Sequence, residues 1–356
     1  MYEQDNRTVL TLDAGGTNLV FSAMRGCREI ARPVRMKSVT DDVGRCLDTL
    51  VEGFRSVEAT LDEPPVAISF AFPGPADYAA GIIGDLPNFP CFRDGVAMGP
   101  YLEDVFGLPV FINNDGNLFA YGEALAGTLP AINKALEDAG NPMRYRNLVG
   151  LTFGTGFGCG VVIDGRLLTG DIGCGGDVWL MRNISHPELI AEEGVSIRAV
   201  KREYRERSGD DRPLSPKDVF DIAEGLLKGD RQAAVDSFAE MGRVAADAAA
   251  HVLDIVDGLV VLGGGLSGAS KYIIPEMVRS MGPWLEMEIY DLTLPEGMER
   301  FLMDGSAKVR VASSGRDVIY RKEKKTGIAV TALGTENAVS IGAYTFALAR
   351  LDESLD

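Results

Sequence analysis

The chain is 356 residues long, 46% of them apolar and 24% charged, and 35 Lys and Arg stand against 52 Asp and Glu for a net charge of −17. Those proportions belong to a folded chain of roughly two domains and exclude disorder or a fibre. Such acidity argues against nucleic acid or an anionic membrane as partner, since both require local positive potential, but one nucleotide can still be held by backbone N–H groups and a metal ion.

From the N-terminus, Met1-Tyr2-Glu3-Gln4-Asp5 is polar and acidic, unlike a secretory signal, and no later run reaches the roughly 18 apolar residues of a membrane span. Val9 to Met24 places apolar, β-prone residues on both sides of Gly15-Gly16-Thr17, which reads as strand, tight turn and strand. Pro109-Val110-Phe111-Ile112 reads as an apolar strand leading into Asn113-Asn114-Asp115, with a helix from Asn117 to Ala126 and an exposed helical insertion over 130–146. Leu148 to Gly165 repeats the first hairpin's layout around Gly154-Thr155-Gly156. The stretch 201–218 reads as a charged helix and a loop, and Ala233 to Ile255 as a long Ala-rich helix containing His251 in a structural role. It precedes a buried-type strand, Gly258 to Leu262, that ends in Gly263-Gly264-Gly265. Arg321-Lys322-Glu323-Lys324-Lys325 is a dense basic run, most simply a solvated loop. Cys27, Cys46, Cys91, Cys159 and Cys174 are odd in number with no CxxC pair, which points to a reduced, cytoplasmic protein with mostly buried thiols and no metal site.

Glycine is the one compositional excess, 42 of 356 residues or about 12% against a usual value of about 7%. Two similar hairpins about 140 residues apart suggest an internal duplication, each opening its own domain. A single glycine cluster is adequately read as a turn needing positive φ. Three clusters rich in small residues and hydroxyls instead suggest loops whose N–H groups approach an anion, with phosphates bridging a cleft between two domains. In the dinucleotide fingerprint the glycines join a strand to a helix, and a P-loop needs Gly-Lys-Ser/Thr; neither pattern is present.

Leu12-Asp13-Ala14-Gly15-Gly16-Thr17-Asn18, Gly154-Thr155-Gly156-Phe157-Gly158-Cys159-Gly160 and Leu262-Gly263-Gly264-Gly265 resemble the two phosphate motifs and the adenosine motif of the ROK family of sugar kinases, in the actin/hexokinase-like ATPase superfamily. Ile112-Asn113-Asn114-Asp115-Gly116-Asn117 with Gly122-Glu123 resembles the family's Asn-Asp segment. Phe72-Pro73-Gly74-Pro75 and Leu86-Pro87-Asn88-Phe89 resemble its sugar-side loops, and Leu333-Gly334 with Gly342-Ala343 its closing helix. The segments occur in family order over nearly the whole chain. Two features depart from the pattern. The family's Gly-Glu-x-Gly-His corresponds to Gly176-Asp177-Val178-Trp179-Leu180, and its zinc-binding cysteine motif is missing, so no structural zinc is expected. Ala191-Glu192-Glu193-Gly194-Val195-Ser196 still resembles the family's Glu-x-x-x-Ser.

The resemblance implies an α/β protein of two similar ribonuclease H-like domains, with mixed sheets flanked by helices and a central cleft. The expected boundaries are 1–113 and 114–339, with a C-terminal helix over 340–356 returning to the first domain. It implies ATP- and Mg²⁺-dependent, glucokinase-like phosphorylation of a hexose or N-acylhexosamine, and a homodimer. Asp115 would be the general base, or alternatively the cap of the helix that follows. Asn114 would bond sugar hydroxyls or simply make a turn. Gly74, Asn88 and Glu192 would line the sugar, Asp177 would touch it or remain an exposed loop acid, and His186 would replace the absent histidine or stay an ordinary loop residue. Asp13 would hold Mg²⁺ through water. Gly15, Gly16, Thr17, Asn18, Gly154, Thr155, Gly156, Gly158, Gly263, Gly264 and Gly265 would cradle the nucleotide. An alternative function is a sugar sensor with an altered site; with only eight residues before the first strand, no DNA-binding domain is expected. Another ATPase of the superfamily, such as a chaperone or an acid kinase, is a third.

Overall fold

A computed structural model of the chain describes residues 2–14, 18–84, 86 and 91–353. The chain divides into two compact units, one made of Met1–Gly127, Gly160–Gly176 and Ala332–Asp356, the other of Thr128–Cys159 and Asp177–Thr331.

In the first unit β1 (Val9–Ala14) pairs antiparallel with β2 (Asn18–Arg25), and β3 (Arg28–Glu29) and β4 (Val34–Lys37) both pair with β2. After α1 (Val43–Glu58), β5 (Ala67–Ala71) returns parallel to β1. A two-residue pair, β6 (Ala76–Asp77) and β7 (Ile82–Ile83), and α2 (Met98–Phe106) lead to β8 (Val110–Asn113), parallel to β5, and then to α3 (Asp115–Leu125). The order β3-β2-β1-β5-β8 puts β1 in the middle, and its residues Val9 to Leu12 are buried, as expected for a strand covered on both faces. Asp42 caps α1 by accepting the Arg45 amide at 2.9 Å. The helix lays Leu50 and Phe54 against the sheet, where Phe54 meets Phe21 edge to face at 5.1 Å.

The first unit reaches Gly127, and within it α3 packs along the C-terminal helix, Thr335–Glu353. A Cβ on Gly122 would collide with the Ala338 carbonyl oxygen, and one on Gly342 with that of Leu118. Glycine at both positions lets the two backbones touch. Glu123, fully buried, accepts the Leu333 amide at 3.3 Å just before this helix begins.

The second unit begins with α4 (Thr128–Asp138) and β9 (Leu148–Phe153), which turns through 154–156 into β10 (Phe157–Ile163); from Gly160 onward β10 and the short β11 (Arg166–Leu167) are counted with the first unit. α5 (Ile197–Ser208), α6 (Pro216–Ala223) and α7 (Arg231–Val256) follow. β12 (Leu259–Gly263) runs parallel to β9. Next come α8 (Ser270–Met281), β13 (Glu288–Asp291), α9 (Pro295–Leu302), an antiparallel ribbon of β14 (Ser306–Arg310) and β15 (Asp317–Arg321), and β16 (Lys325–Val330). The sheet order β11-β10-β9-β12-β16-β13 repeats the first sheet's plan of a hairpin followed by parallel strands.

Several local expectations are corrected. The insertion over 130–146 is helical only to Asp138, and Met143 and Tyr145 are buried, with the Tyr145 hydroxyl donating to the Lys325 carbonyl at 2.6 Å. The basic run is not all solvated loop: Lys325 opens β16, is 5% exposed and donates to the Met303 carbonyl, and burial lowers its pKa. Of the five cysteines, Cys46 and Cys159 are buried, while Cys174 is exposed. Among the described residues no helix is long and apolar enough to cross a membrane.

Candidate active site

Three parallel strands of the first unit end at one edge. Leu12, Phe70 and Ile112 stand side by side in β1, β5 and β8, so Asp13, Phe72 and the segment Asn113–Asp115 emerge together at the carboxyl ends. Open α/β sheets place their ligands at such an edge. The Phe72 amide donates to the Asn113 carbonyl at 3.0 Å, which ties the loop carrying Gly74 to the start of α3. A Cβ on Gly74 would lie 3.2 Å from the Tyr78 hydroxyl, which donates to the Phe72 carbonyl at 2.9 Å.

Asn114 is the cap of α3, its Oδ1 accepting the Gly116 amide at 2.8 Å. The capping role weighed for Asp115 therefore falls one residue earlier. Asn113 is a brace: its Oδ1 accepts the Asn114 amide at 2.8 Å and Asn117 Nδ2 at 2.9 Å. Asp115 is the first helical residue, with Oδ1 also 2.8 Å from the Gly116 amide. Its side chain keeps accessible surface at the strand edge, yet protein crowds the carboxyl on most sides. That burial raises its pKa above the ordinary aspartate value, against the opposing pull of the Gly116 and Asp115 amides. Asp13 is raised too, first by burial, then by the negative charge of Glu336, with Arg35 opposing and Asp115 adding a smaller push. Glu336 was not singled out from the sequence, although it lies two residues beyond Gly334 in a segment that was. Asn18 opens β2 and pairs with Lys37 of β4. Gly15, Gly16, Thr17 and Asn88 lie outside the described residues.

In the second unit, the ends of β9 and β12 are neighbours, with Gly263 beside Thr152. This register brings the turn Gly154–Gly156 next to Gly264 and Gly265. Gly264 has φ +82°, and a Cβ there would strike the Phe153 backbone, so the two loops approach to a distance only glycine permits. Among the described residues nothing lies within 4 Å of a Cβ placed on Gly154 or Gly265, while the Gly154 amide is itself committed, donating to the Gly156 carbonyl at 3.1 Å. Ser267 closes the second loop, its Oγ donating to the Gly264 carbonyl at 2.7 Å. Gly158 lies within β10 and is half-buried.

The turn Gly154–Phe157 is gripped from outside by residues 192–198. Glu192 Oε2 accepts the Phe157 amide at 3.1 Å, the Ile197 amide donates to the Gly154 carbonyl at 2.8 Å, and Arg198 Nη1 donates to the Thr155 carbonyl at 3.1 Å. Arg198 Nη2 also reaches Glu192 Oε1 at 2.8 Å and Glu193 Oε1 at 2.7 Å. These bonds raise the Arg198 pKa and hold the Glu193 carboxyl below the usual range. Sequence reading passed over Arg198; its place two residues after Ser196, the cap of α5, was the available signal.

Asp177 precedes a single turn of 3₁₀ helix, Val178–Leu180, and its carboxylate adds to the burial that pushes the Cys159 thiol up to about 12. His186 stands apart from Glu192 along the chain's path. Residues 181–191 form a narrow excursion closed by Ala191 N to Met181 O at 2.7 Å and Asn183 N to Leu189 O at 3.0 Å. His186 is at its exposed tip, 3.7 Å from Glu188, whereas Glu192 follows its base.

The first unit thus offers a carboxylate with raised proton affinity beside an amide side chain and a second carboxylate; the second offers paired glycine loops suited to an anion. A family model described as the ROK family matches residues 9–291. The chain is 27% identical to a glucokinase of Thermotoga maritima, over 81% of this chain and 88% of that one. It is 25% identical to an N-acetyl-D-glucosamine kinase of Haemophilus influenzae, over 77% and 89%. A crystal structure of a glucokinase from Parabacteroides distasonis superposes with a TM-score of 0.92 at 56% identity, covering 98% of this chain and 99% of that one.

Proposed function

The chain belongs to the ROK family, and from that membership we propose that it is an ATP-dependent sugar kinase, transferring the γ-phosphoryl group of ATP to a hydroxyl of a hexose or N-acylhexosamine. The observation that carries the chemical assignment is Asp115, a carboxylate of raised pKa at the shared end of three parallel strands, flanked by Asn114 and Asp13. The 56% identity to a glucokinase over nearly the full length supports the substrate class.

In this reading Asp115 accepts the proton of the sugar hydroxyl as that oxygen attacks phosphorus. Phosphoryl transfer asks little covalent work of the protein, so position and charge dominate. Asn114 has its Oδ1 committed to the cap, and its NH₂ group is the part that donates to a sugar oxygen. In the same unit the loop bearing Gly74 adds to the sugar contacts; in the second unit Glu192 and Asp177 are the residues proposed to touch sugar, and His186 lies at the outer tip of its excursion. The Gly154–Gly156 turn and Gly263–Gly265 hold phosphates and adenosine through N–H groups, which suits a chain of net charge −17.

Mg²⁺ fits the residues present. Asp13 feels the negative charge of both Glu336 and Asp115, an electrostatic setting that a divalent cation relieves. Among the described residues no three His, Cys, Asp or Glu side chains could hold a metal directly, so Asp13 would act through water. When bound, the ion would neutralise phosphate charge.

The test is a coupled ADP-release assay with ATP and Mg²⁺ over a panel of hexoses and N-acylhexosamines. Turnover on one or more of them, lost in Asp115→Asn, is expected. Absence of turnover on the whole panel, or turnover that persists in Asp115→Asn, overturns the assignment.

A further inference from the structure

We propose that Arg198 and Glu192 form a latch that couples occupancy of the sugar site to that of the phosphate loop, which makes Arg198 a positioning residue for nucleotide binding. The inference rests on the sugar kinase reading, which sets Glu192 against the acceptor and the Gly154–Phe157 turn against phosphate.

Every residue of that turn except Gly156 is bonded to 192–198: Gly154 through Ile197, Thr155 through Arg198 and Phe157 through Glu192. Gly156 contributes by lacking a side chain, since a Cβ there would lie 2.5 Å from Glu192 Oε2. Arg198 is the hub. One nitrogen reaches the turn at Thr155, another reaches Glu192, and its remaining edge is clamped by Glu193 through bonds of 2.7 and 3.1 Å. A planar guanidinium can serve three acceptors in fixed directions, which a lysine ammonium on a flexible stem cannot.

An ionised carboxylate offers about four lone-pair sites. Phe157 and Arg198 use one on each oxygen of Glu192, so a sugar hydroxyl can donate to the same group without breaking either bond. A sugar that fixes this carboxylate also fixes the Phe157 amide and, through Arg198, the Thr155 carbonyl. The order imposed on the turn by the first ligand need not be imposed again by the second. Sugar and nucleotide therefore each tighten binding of the other, by the same factor.

The experiment is calorimetric titration of the full chain with the non-hydrolysable nucleotide AMPPNP and Mg²⁺, with and without saturating glucose or N-acetylglucosamine. In the native sequence the sugar is expected to tighten AMPPNP binding at least about fivefold, the low end of ordinary coupling. Arg198→Gln and Arg198→Lys should both bring that ratio to within about twofold of unity, while Arg202→Gln, which removes a bond to the Glu193 carbonyl and ion pairs with Glu193 and Glu203 but leaves the bonds of Arg198 to Thr155 and Glu192 in place, keeps it. Thermal melting of each variant establishes that it is folded. If sugar and AMPPNP bind and the ratio survives in folded Arg198→Gln, the latch is wrong and the kinase reading stands. A ratio near unity in the native sequence has the same meaning. If neither ligand binds the native chain, the kinase reading fails and the latch fails with it.

Discussion

Asn114 Oδ1 accepts the Gly116 amide at 2.8 Å, so the start of α3 is held by the residue before Asp115. The carboxylate of Asp115 shares that amide at 2.8 Å, so the cap does not rest on it alone. Asp115→Asn is expected to lower kcat by about 10²- to 10⁴-fold, the range for loss of a general base, without lowering the thermal midpoint at neutral pH. Asn114→Ala should behave differently, losing about 1 kcal/mol of cap stability and raising the sugar KM together. Steady-state kinetics and denaturant unfolding of the two variants separate the roles.

The raised pKa values of Asp115 and Asp13 give a pH signature with a definite sign. The folded state binds protons at these sites more tightly than the unfolded chain. Ionisation therefore costs stability: the cost is absent below the ordinary value of 3.8, grows as pH rises toward the folded pKa, and is complete above it. Asp115→Asn is expected to melt at or above the native temperature at pH 7, with the difference shrinking as pH is lowered toward 4. The acid limb of kcat/KM should have its midpoint above 3.8, because the proposed role of Asp115 as general base requires it ionised. An acid limb at or below that value would contradict the assignment.

Gly156→Ala places a methyl group 2.5 Å from Glu192 Oε2. The carboxylate must shift, which loosens its bond to the Phe157 amide and disturbs both proposed ligand sites. KM for sugar and for ATP should each rise by about tenfold, and the melting temperature should fall only slightly because the turn is at the surface. Gly154→Ala, in open space, is the control with an unchanged sugar KM.

The contact between α3 and the C-terminal helix should be the most sensitive to small additions. In Gly122→Ala and Gly342→Ala the new methyl meets a carbonyl oxygen of the facing helix, so the helices must separate. A loss of about 1–3 kcal/mol in urea unfolding is expected for each, the usual cost of overpacking. The two losses should add to less than their sum, since the first separation makes room for the second methyl.

The parts of the fold that the sequence revealed are those written in short-range pattern. The two hairpins, the strand before Asn113, α7 and the glycine-ended β12 are all set by local alternation and turn chemistry. The contact of α3 with a helix more than two hundred positions later is not legible in this way, because it is made through glycines that carry no hydropathy signal. Likewise Lys325 reads as solvent-facing beside Lys322 and Lys324, and only the strand it opens shows why it is buried. In the site, Asp13, Asn114 and Asp115 were legible because a strand end and a helix start flank them. Arg198 and Glu336 were not, since each acts on residues distant in sequence from a helix that otherwise looks ordinary.

The pairing of Gly263 with Thr152 has a consequence for how the protein matures. Gly154 and Gly264 are more than a hundred positions apart in the chain, yet their loops become neighbours when β12 docks on β9. A nascent chain that has emerged only as far as α7 has one of the two loops and no complete cradle. If these loops hold the nucleotide as proposed, its affinity arrives late, with a long-range parallel pairing that is intrinsically slow to form. A nucleotide added during refolding would reward only chains that have passed that step, and so would act as a selective stabiliser of the finished unit.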